Sequence, residues 1–108
     1  MQAFLALPRY PFNRAAIEFA PEEAGVFGLF DGKELIYIGR AMDRDQQSIR
    51  ALLLRHQDGA MGDCTMKATH YTWEITAWPG AARETELLAR HFQNTHHEPR
   101  CQSKIKAA

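Results

Sequence analysis

Apolar positions along the chain switch between two periods. From Gly25, the run GVFGLF is followed by DGK and then ELIYIG. Val26, Phe27, Leu29, Ile36, Tyr37 and Ile38 are β-branched, aromatic or otherwise apolar, and an Asp-Gly pair between two such runs predicts a tight hairpin. From Ile49 the spacing lengthens: Ile49, Leu52, Leu53 and His56 recur at offsets of 3, 4 and 7, one face of a helix. Ser48 is placed to cap that helix and Gly59 lies just past its end. HYTWEITAW returns to alternation and predicts a third strand, with Tyr71, Trp73 and Ile75 on one face and Thr72, Glu74 and Thr76 on the other. After the break at Trp78-Pro79-Gly80, AARETELLARHFQNTH predicts a second helix with the stripe Ala81, Glu84, Leu87, Leu88 and His91. Glu86 and Arg90 are spaced to pair across one turn, and Trp73 and Phe92 are expected in the core.

The flanks read differently. Residues 1–22 are punctuated by Pro8, Pro11 and Pro21 and predict an N-terminal arm packing on the domain, with NRAAIEF as a short helical turn. Residues 23–102 then form the domain, EPRCQ an extended exit, and 103–108 a fraying tail. The order arm, strand, strand, helix, strand, helix predicts an α+β fold: a small, mostly antiparallel three-stranded sheet flanked by helices. A length of 108 residues suits one such domain. No apolar run approaches the roughly 20 residues that cross a bilayer, and the apolar part of MQAFLALPRYPF is too short for a signal peptide. The expectation is a cytoplasmic protein with no membrane partner.

Charge adds little. Thirteen Lys and Arg balance thirteen Asp and Glu, with three basic and five acidic groups in residues 1–39 and ten and eight in residues 40–108. A dedicated duplex-binding module is normally basic, because phosphate contacts carry much of its affinity, so any nucleic-acid binding here is expected to be weak and salt-sensitive. Cys64 and Cys101 are far apart in a chain expected to be cytoplasmic, so free thiols are expected rather than a disulfide. A zinc site using these cysteines with His70, His91, His96 or His97 lacks the short paired spacings such sites use; His96-His97 before Cys101 is the nearest approach to one.

One residue fits poorly with plain packing. Glu84 lies on the apolar stripe of the second helix, where a carboxylate must be paired, bind a metal or shift its pKa; alternatively it sits in the first turn, where the helix dipole favours an acid at the surface. Taken with the hairpin, it completes an ordered set. GVFGLF, YIGRA, SIRALLLRH, RETELL and PRCQ together resemble the GIY-YIG nuclease superfamily, over about Gly25 to Gln102. That pattern runs from a G-I/V-Y strand to a Y-I/V-G strand followed by a basic residue. An arginine-bearing helix, a third strand, a helix with an early metal-binding Glu, and often a P-x-x-N exit come next.

The resemblance implies a metal-dependent endonuclease hydrolysing DNA phosphodiester bonds. Such hydrolysis needs an attacking water, a proton acceptor, neutralisation of phosphate charge and help for the leaving oxygen. By carry-over, Glu84 holds one Mg²⁺ or Mn²⁺ ion, Tyr37 orients or deprotonates the water, and Arg40 contacts phosphate or lowers the tyrosine's pKa. His56 assists proton transfer or simply caps the helix end. Arg50 is the candidate helix arginine, with Arg44 and Arg55 as other donors. Gly25, Val26, Phe27, Ile38, Gly39 and Gln102 complete the motif. Three positions depart from the pattern: Phe27 replaces a tyrosine, Leu52 stands where the arginine is expected, and Gln102 replaces asparagine. These departures define the alternative, a degenerate domain that binds nucleic acid or protein without cleavage. A small His/Cys metal-binding interaction protein is the third possibility. So short a chain lacks a separate recognition module, so sequence specificity must be low, structure-directed or supplied by a protein partner.

Overall fold

The computed structural model describes residues 7–42, 47–76 and 81–104. They form an α+β fold with a four-stranded antiparallel sheet. In chain order the elements are β1 (Tyr10–Pro11), α1 (Arg14–Ile17), β2 (Gly25–Asp31), β3 (Glu34–Ala41), α2 (Ile49–Gln57), a 3-10 turn (Thr65–Lys67), β4 (His70–Ile75) and α3 (Ala81–Thr95). The sheet order is β1-β4-β2-β3, so the hairpin strand β2 is central and β3 is an edge.

The hairpin forms as the sequence predicts. Its two-residue loop is Gly32–Lys33, and Gly32 has φ +62°, the left-handed conformation that a first central turn residue of this kind requires. Register runs from Gly25 opposite Ala41 to Asp31 opposite Glu34, with an irregularity that places Tyr37 opposite Leu29 and Leu35 opposite Phe30. Ile36 is therefore the extra residue of a bulge. Bulges re-aim side chains, and here Ile36 and Tyr37 both pack on the same side of the sheet as Leu29.

Each sheet face has its own core. Phe27, Leu29, Ile36 and Tyr71 pack with Ile17 and Ala20 of the arm and with Ile49, Leu52 and Leu53 of α2. On the opposite face Val26, Phe30, Leu35 and Ile38 pack with Leu87 of α3. Both faces of β2 are covered, which explains why GVFGLF is an apolar run and not an alternation.

The arm does more than lie on the domain. It supplies β1, which pairs Tyr10 with Tyr71 and makes the sheet four-stranded where the sequence predicts three. Leu7 packs on the α3 face, the Arg9 guanidinium stands 3.9 Å over the Phe30 ring, and Thr72 donates its hydroxyl to Pro8 O at 2.8 Å. Past β1 the chain reaches the other face, where Asn13 caps α1 and Tyr71 Oη donates to Ala16 O at 2.8 Å. A two-residue strand between prolines carries too little pattern to be read from sequence alone.

Other expectations are corrected. Phe92 is 53% exposed and not in the core. Phe92 lies five residues past Leu87, about 140° round the helix, so it points away from the face that Leu87 buries. Glu86 is bonded to Arg83, not Arg90. The exit around Pro99–Gln102 is a set of tight turns, with Gln102 N donating to Pro99 O and Lys104 N to Cys101 O, and not an extended segment. The break at Trp78-Pro79-Gly80 lies outside the described residues.

The cysteines are also paired: Cys64 and Cys101 form a disulfide. Spacing in sequence says nothing about this, because the loop after α2 and the turn after α3 meet only in the folded chain. There the two Cα atoms are 5.7 Å apart, within bonding range. Among the described residues no group of three His, Cys, Asp or Glu is arranged to hold a metal ion, and no helix is long and apolar enough to cross a membrane.

Candidate active site

The motif glycines create the space around which the site is built. Phe27 lies opposite Gly39, and a Cβ on Gly39 would fall 2.4 Å from Phe27 Cζ and 2.8 Å from Tyr37 Cε2. Both rings therefore lean over the bare backbone of Gly39. Gly25 is crowded in the same way, its would-be Cβ 2.2 Å from the Glu74 carbonyl oxygen. Any larger residue at either position displaces backbone or core aromatics.

His56 completes an aromatic group. Its ring centroid is 4.9 Å from that of Tyr37 and 5.7 Å from that of Phe27, with Phe27 and Tyr37 6.0 Å apart. It comes from the last turn of α2, a helix that Ser48 caps by accepting from Ala51 N at 3.2 Å. His56 does not cap the end of that helix. It is 1% exposed, and its Nδ1 is hydrogen-bonded at 2.8 Å to the hydroxyl of Thr65, itself fully buried. Burial, helped by the neighbouring Arg55 charge, pushes the imidazole pKa down to about 4, so His56 is neutral at pH 7.

Tyr37 is half-buried, and its phenol is pushed above its ordinary value, mainly by burial and further by the negative charge of Glu84. Tyr37 is thus a protonated hydrogen-bond donor near neutrality and a poor base. Glu84 is carried on the first turn of α3, the helix that packs on the sheet face opposite the one on which Tyr37 packs. Glu84 is half-buried and, among the described residues, has no ion-pair or hydrogen-bond partner. Arg83 anchors the turn that carries it, by a two-pronged contact to Glu74 at 2.6 and 3.0 Å and a further one to Glu86.

A single free carboxylate completed by water is a normal way to hold Mg²⁺, and Glu84 fits that role; a ring of protein ligands is not built around it.

The remaining candidates are distributed differently. Arg40 pairs in register with Val26, which places it on the α3 face of the sheet, across from the face on which Tyr37 packs. Arg50 binds the arm: Nε donates to Ala20 O at 2.8 Å, and Nη1 meets Glu22 Oε1 at 2.5 Å. Leu52, in the expected arginine position, is buried in the α2 core. Arg55 flanks His56, and Arg44 lies outside the described residues. Gln102 is committed to backbone, accepting from Ile38 N at 3.0 Å and donating to Ile38 O at 2.8 Å.

Sequence reasoning missed Thr65, whose role depends on a fold contact nine residues from His56. It also missed a cleft of about 290 Å³ between α3 and β3, floored by Leu35, Ile38 and Leu87 and edged by Arg90 and His91. Among the described residues His91 Nε2 is buried there without a hydrogen-bond partner, and burial is the main cause that holds its imidazole below the ordinary value. Compared with known proteins, the chain matches no family model and no curated protein.

Proposed function

We propose that this chain is a GIY-YIG-type domain that hydrolyses nucleic-acid phosphodiester bonds at the Tyr37–His56–Glu84 group. The observation that carries this reading is the packing of the strand residue Tyr37 against the buried, neutral His56 beside Gly39, with the Glu84 charge raising the Tyr37 pKa. The order β2, β3, α2, β4, α3 also follows the order of the motifs. In this reading Tyr37 donates a hydrogen bond that positions the attacking water or a phosphate oxygen, and neutral His56, held by Thr65, packs against the Tyr37 ring and fixes its position. Glu84 holds one Mg²⁺ or Mn²⁺, which when bound supplies charge neutralisation at the phosphate. Arg40, on the sheet face covered by the helix that bears Glu84, is the candidate phosphate contact on that side. In this reading sequence specificity is low, structure-directed or supplied by a protein partner.

Arg50 favours a second reading, binding without cleavage. Its guanidinium is spent on Ala20 and Glu22, and Phe27 removes one phenol from the pattern. The two readings part in a nicking assay on supercoiled and branched DNA at low salt with Mn²⁺ or Mg²⁺, comparing wild type with Glu84→Ala and Tyr37→Phe. Metal-dependent cleavage lost in Glu84→Ala supports hydrolysis. DNA binding with no cleavage on any substrate overturns it in favour of the binding domain.

A further inference from the structure

Each half of the disulfide adjoins a residue that shapes the candidate site. Cys64 is followed by Thr65, whose hydroxyl holds His56, and Cys101 is followed by Gln102, whose side chain holds Ile38 next to Tyr37. The segment after α3 is a run of turns; Cys101 N donates to Ile36 O at 2.8 Å, and the exposed Arg100 reaches Asp31 and Glu34. The disulfide is its covalent anchor among the described residues. Removing that bond leaves two short turn segments held by hydrogen bonds, by the Arg100 ion pairs and by packing on one sheet face.

We propose that Cys64–Cys101 is a reversible thiol–disulfide exchange site, and that its opening releases the Gln102 grip on Ile38 and the Thr65 hold on His56. Its bearing on phosphodiester hydrolysis rests on the function proposed above; the exchange itself does not. Cys101 is fully buried and Cys64 is partly exposed, so a reductant approaches from the Cys64 side. The co-reactant is a dithiol. One of its thiolates attacks Cys64 Sγ, the Cys64–Cys101 bond breaks, and Cys101 leaves as a thiolate that takes up a proton. The second thiol of the reductant then attacks the mixed disulfide, releasing Cys64, which is protonated in turn. The protein gains two electrons and two protons, and the dithiol becomes a disulfide.

The test is amide hydrogen exchange by NMR on the full chain, oxidised and then reduced with dithiothreitol. The Ile38 amide, which donates to Gln102, is the reporter, and the amides of the central strand β2 are the reference. Reduction should speed Ile38 exchange at least tenfold while β2 amides stay within twofold, and the His56 ring resonances should shift. The double variant Cys64→Ser with Cys101→Ser should show the reduced pattern without dithiothreitol. Unchanged Ile38 and His56 signals after complete reduction overturn the proposal. So does a uniform loss of protection through β2, which would make the bond a plain structural staple. Cleavage measured in both states is a separate reading: no cleavage in either, with the Ile38 response intact, counts against the hydrolase and leaves the exchange site standing.

Discussion

Gln102 closes a two-point clamp on Ile38, accepting from its N–H at 3.0 Å and donating to its carbonyl at 2.8 Å. β3 is the sheet edge, so the clamp satisfies backbone groups that would otherwise face solvent or another chain. Gln102→Asn shortens the side chain by one methylene, and from the same turn it cannot make both bonds. Each net hydrogen bond contributes about 1 kcal/mol, so Gln102→Asn and Gln102→Ala should both cost about 1–2 kcal/mol in denaturant unfolding. If Gln102→Asn were as stable as wild type, the reach argument would fail.

His56 makes stability depend on acid. Its imidazole has a folded pKa of about 4 against an ordinary value of 6.5. Between these values the unfolded chain takes up a proton that the folded chain refuses, so stability is complete above pH 6.5 and falls as pH drops toward 4. The loss across that window should reach roughly 3 kcal/mol. His91, also shifted down but less buried, adds a smaller loss in the same direction. Urea unfolding from pH 7.5 to 4 measures this, and His56→Gln should flatten most of the slope. An unchanged slope in that variant would place the acid sensitivity elsewhere.

The hairpin, the capped helix α2 and the long helix α3 were legible because their patterns are local. Two apolar runs around Asp-Gly, a Ser48 cap and the stripe through Glu84, Leu87 and Leu88 need no distant partner to be read. What escaped depends on contacts between distant segments. β1 is two residues long and gains its identity only from Tyr71 and His70. The Cys64–Cys101 bond joins positions 37 residues apart. In the candidate site, Tyr37 and His56 were nameable from motif and helix spacing, yet the bulge that turns Tyr37 toward His56 was not. Arg50 shows what residue type alone leaves open. Its type suited phosphate, but the carbonyl of Ala20 and the carboxylate of Glu22 lie closer at hand.

Arg50 is therefore expected to act on the arm. Besides its side-chain bonds, its backbone N–H donates to Pro21 O at 3.0 Å and that of Ile49 to Glu23 O at 3.1 Å, so arm carbonyls satisfy the free amides at the start of α2. Arg50→Ala should cost about 1–2 kcal/mol, chiefly through the Ala20 contact, and speed hydrogen exchange in α1. Glu22→Gln, at an exposed pair, should cost less than about 0.5 kcal/mol. DNA affinity falling in Arg50→Ala with stability unchanged would return this arginine to the binding surface.

Arg83 ties the helix bearing Glu84 to the sheet. Its side chain is 9% exposed, and its guanidinium forks onto both oxygens of Glu74 on β4 while also meeting Glu86. A planar five-donor group is required for that fork, so lysine cannot replace it. Arg83→Ala leaves the partly buried Glu74 carboxylate without its partner and should destabilise the fold by about 2–4 kcal/mol. Glu74→Gln, which keeps one acceptor, should cost less. Because Glu84 is the next residue, Arg83→Lys should also move the first turn of α3 and reduce the influence of the Glu84 charge on Tyr37. The Tyr37 phenol should then titrate lower than in wild type when followed by ultraviolet absorbance at alkaline pH. A Tyr37 titration unmoved by Arg83→Lys, in a variant that remains folded, would show that the Glu74 fork has no part in placing Glu84.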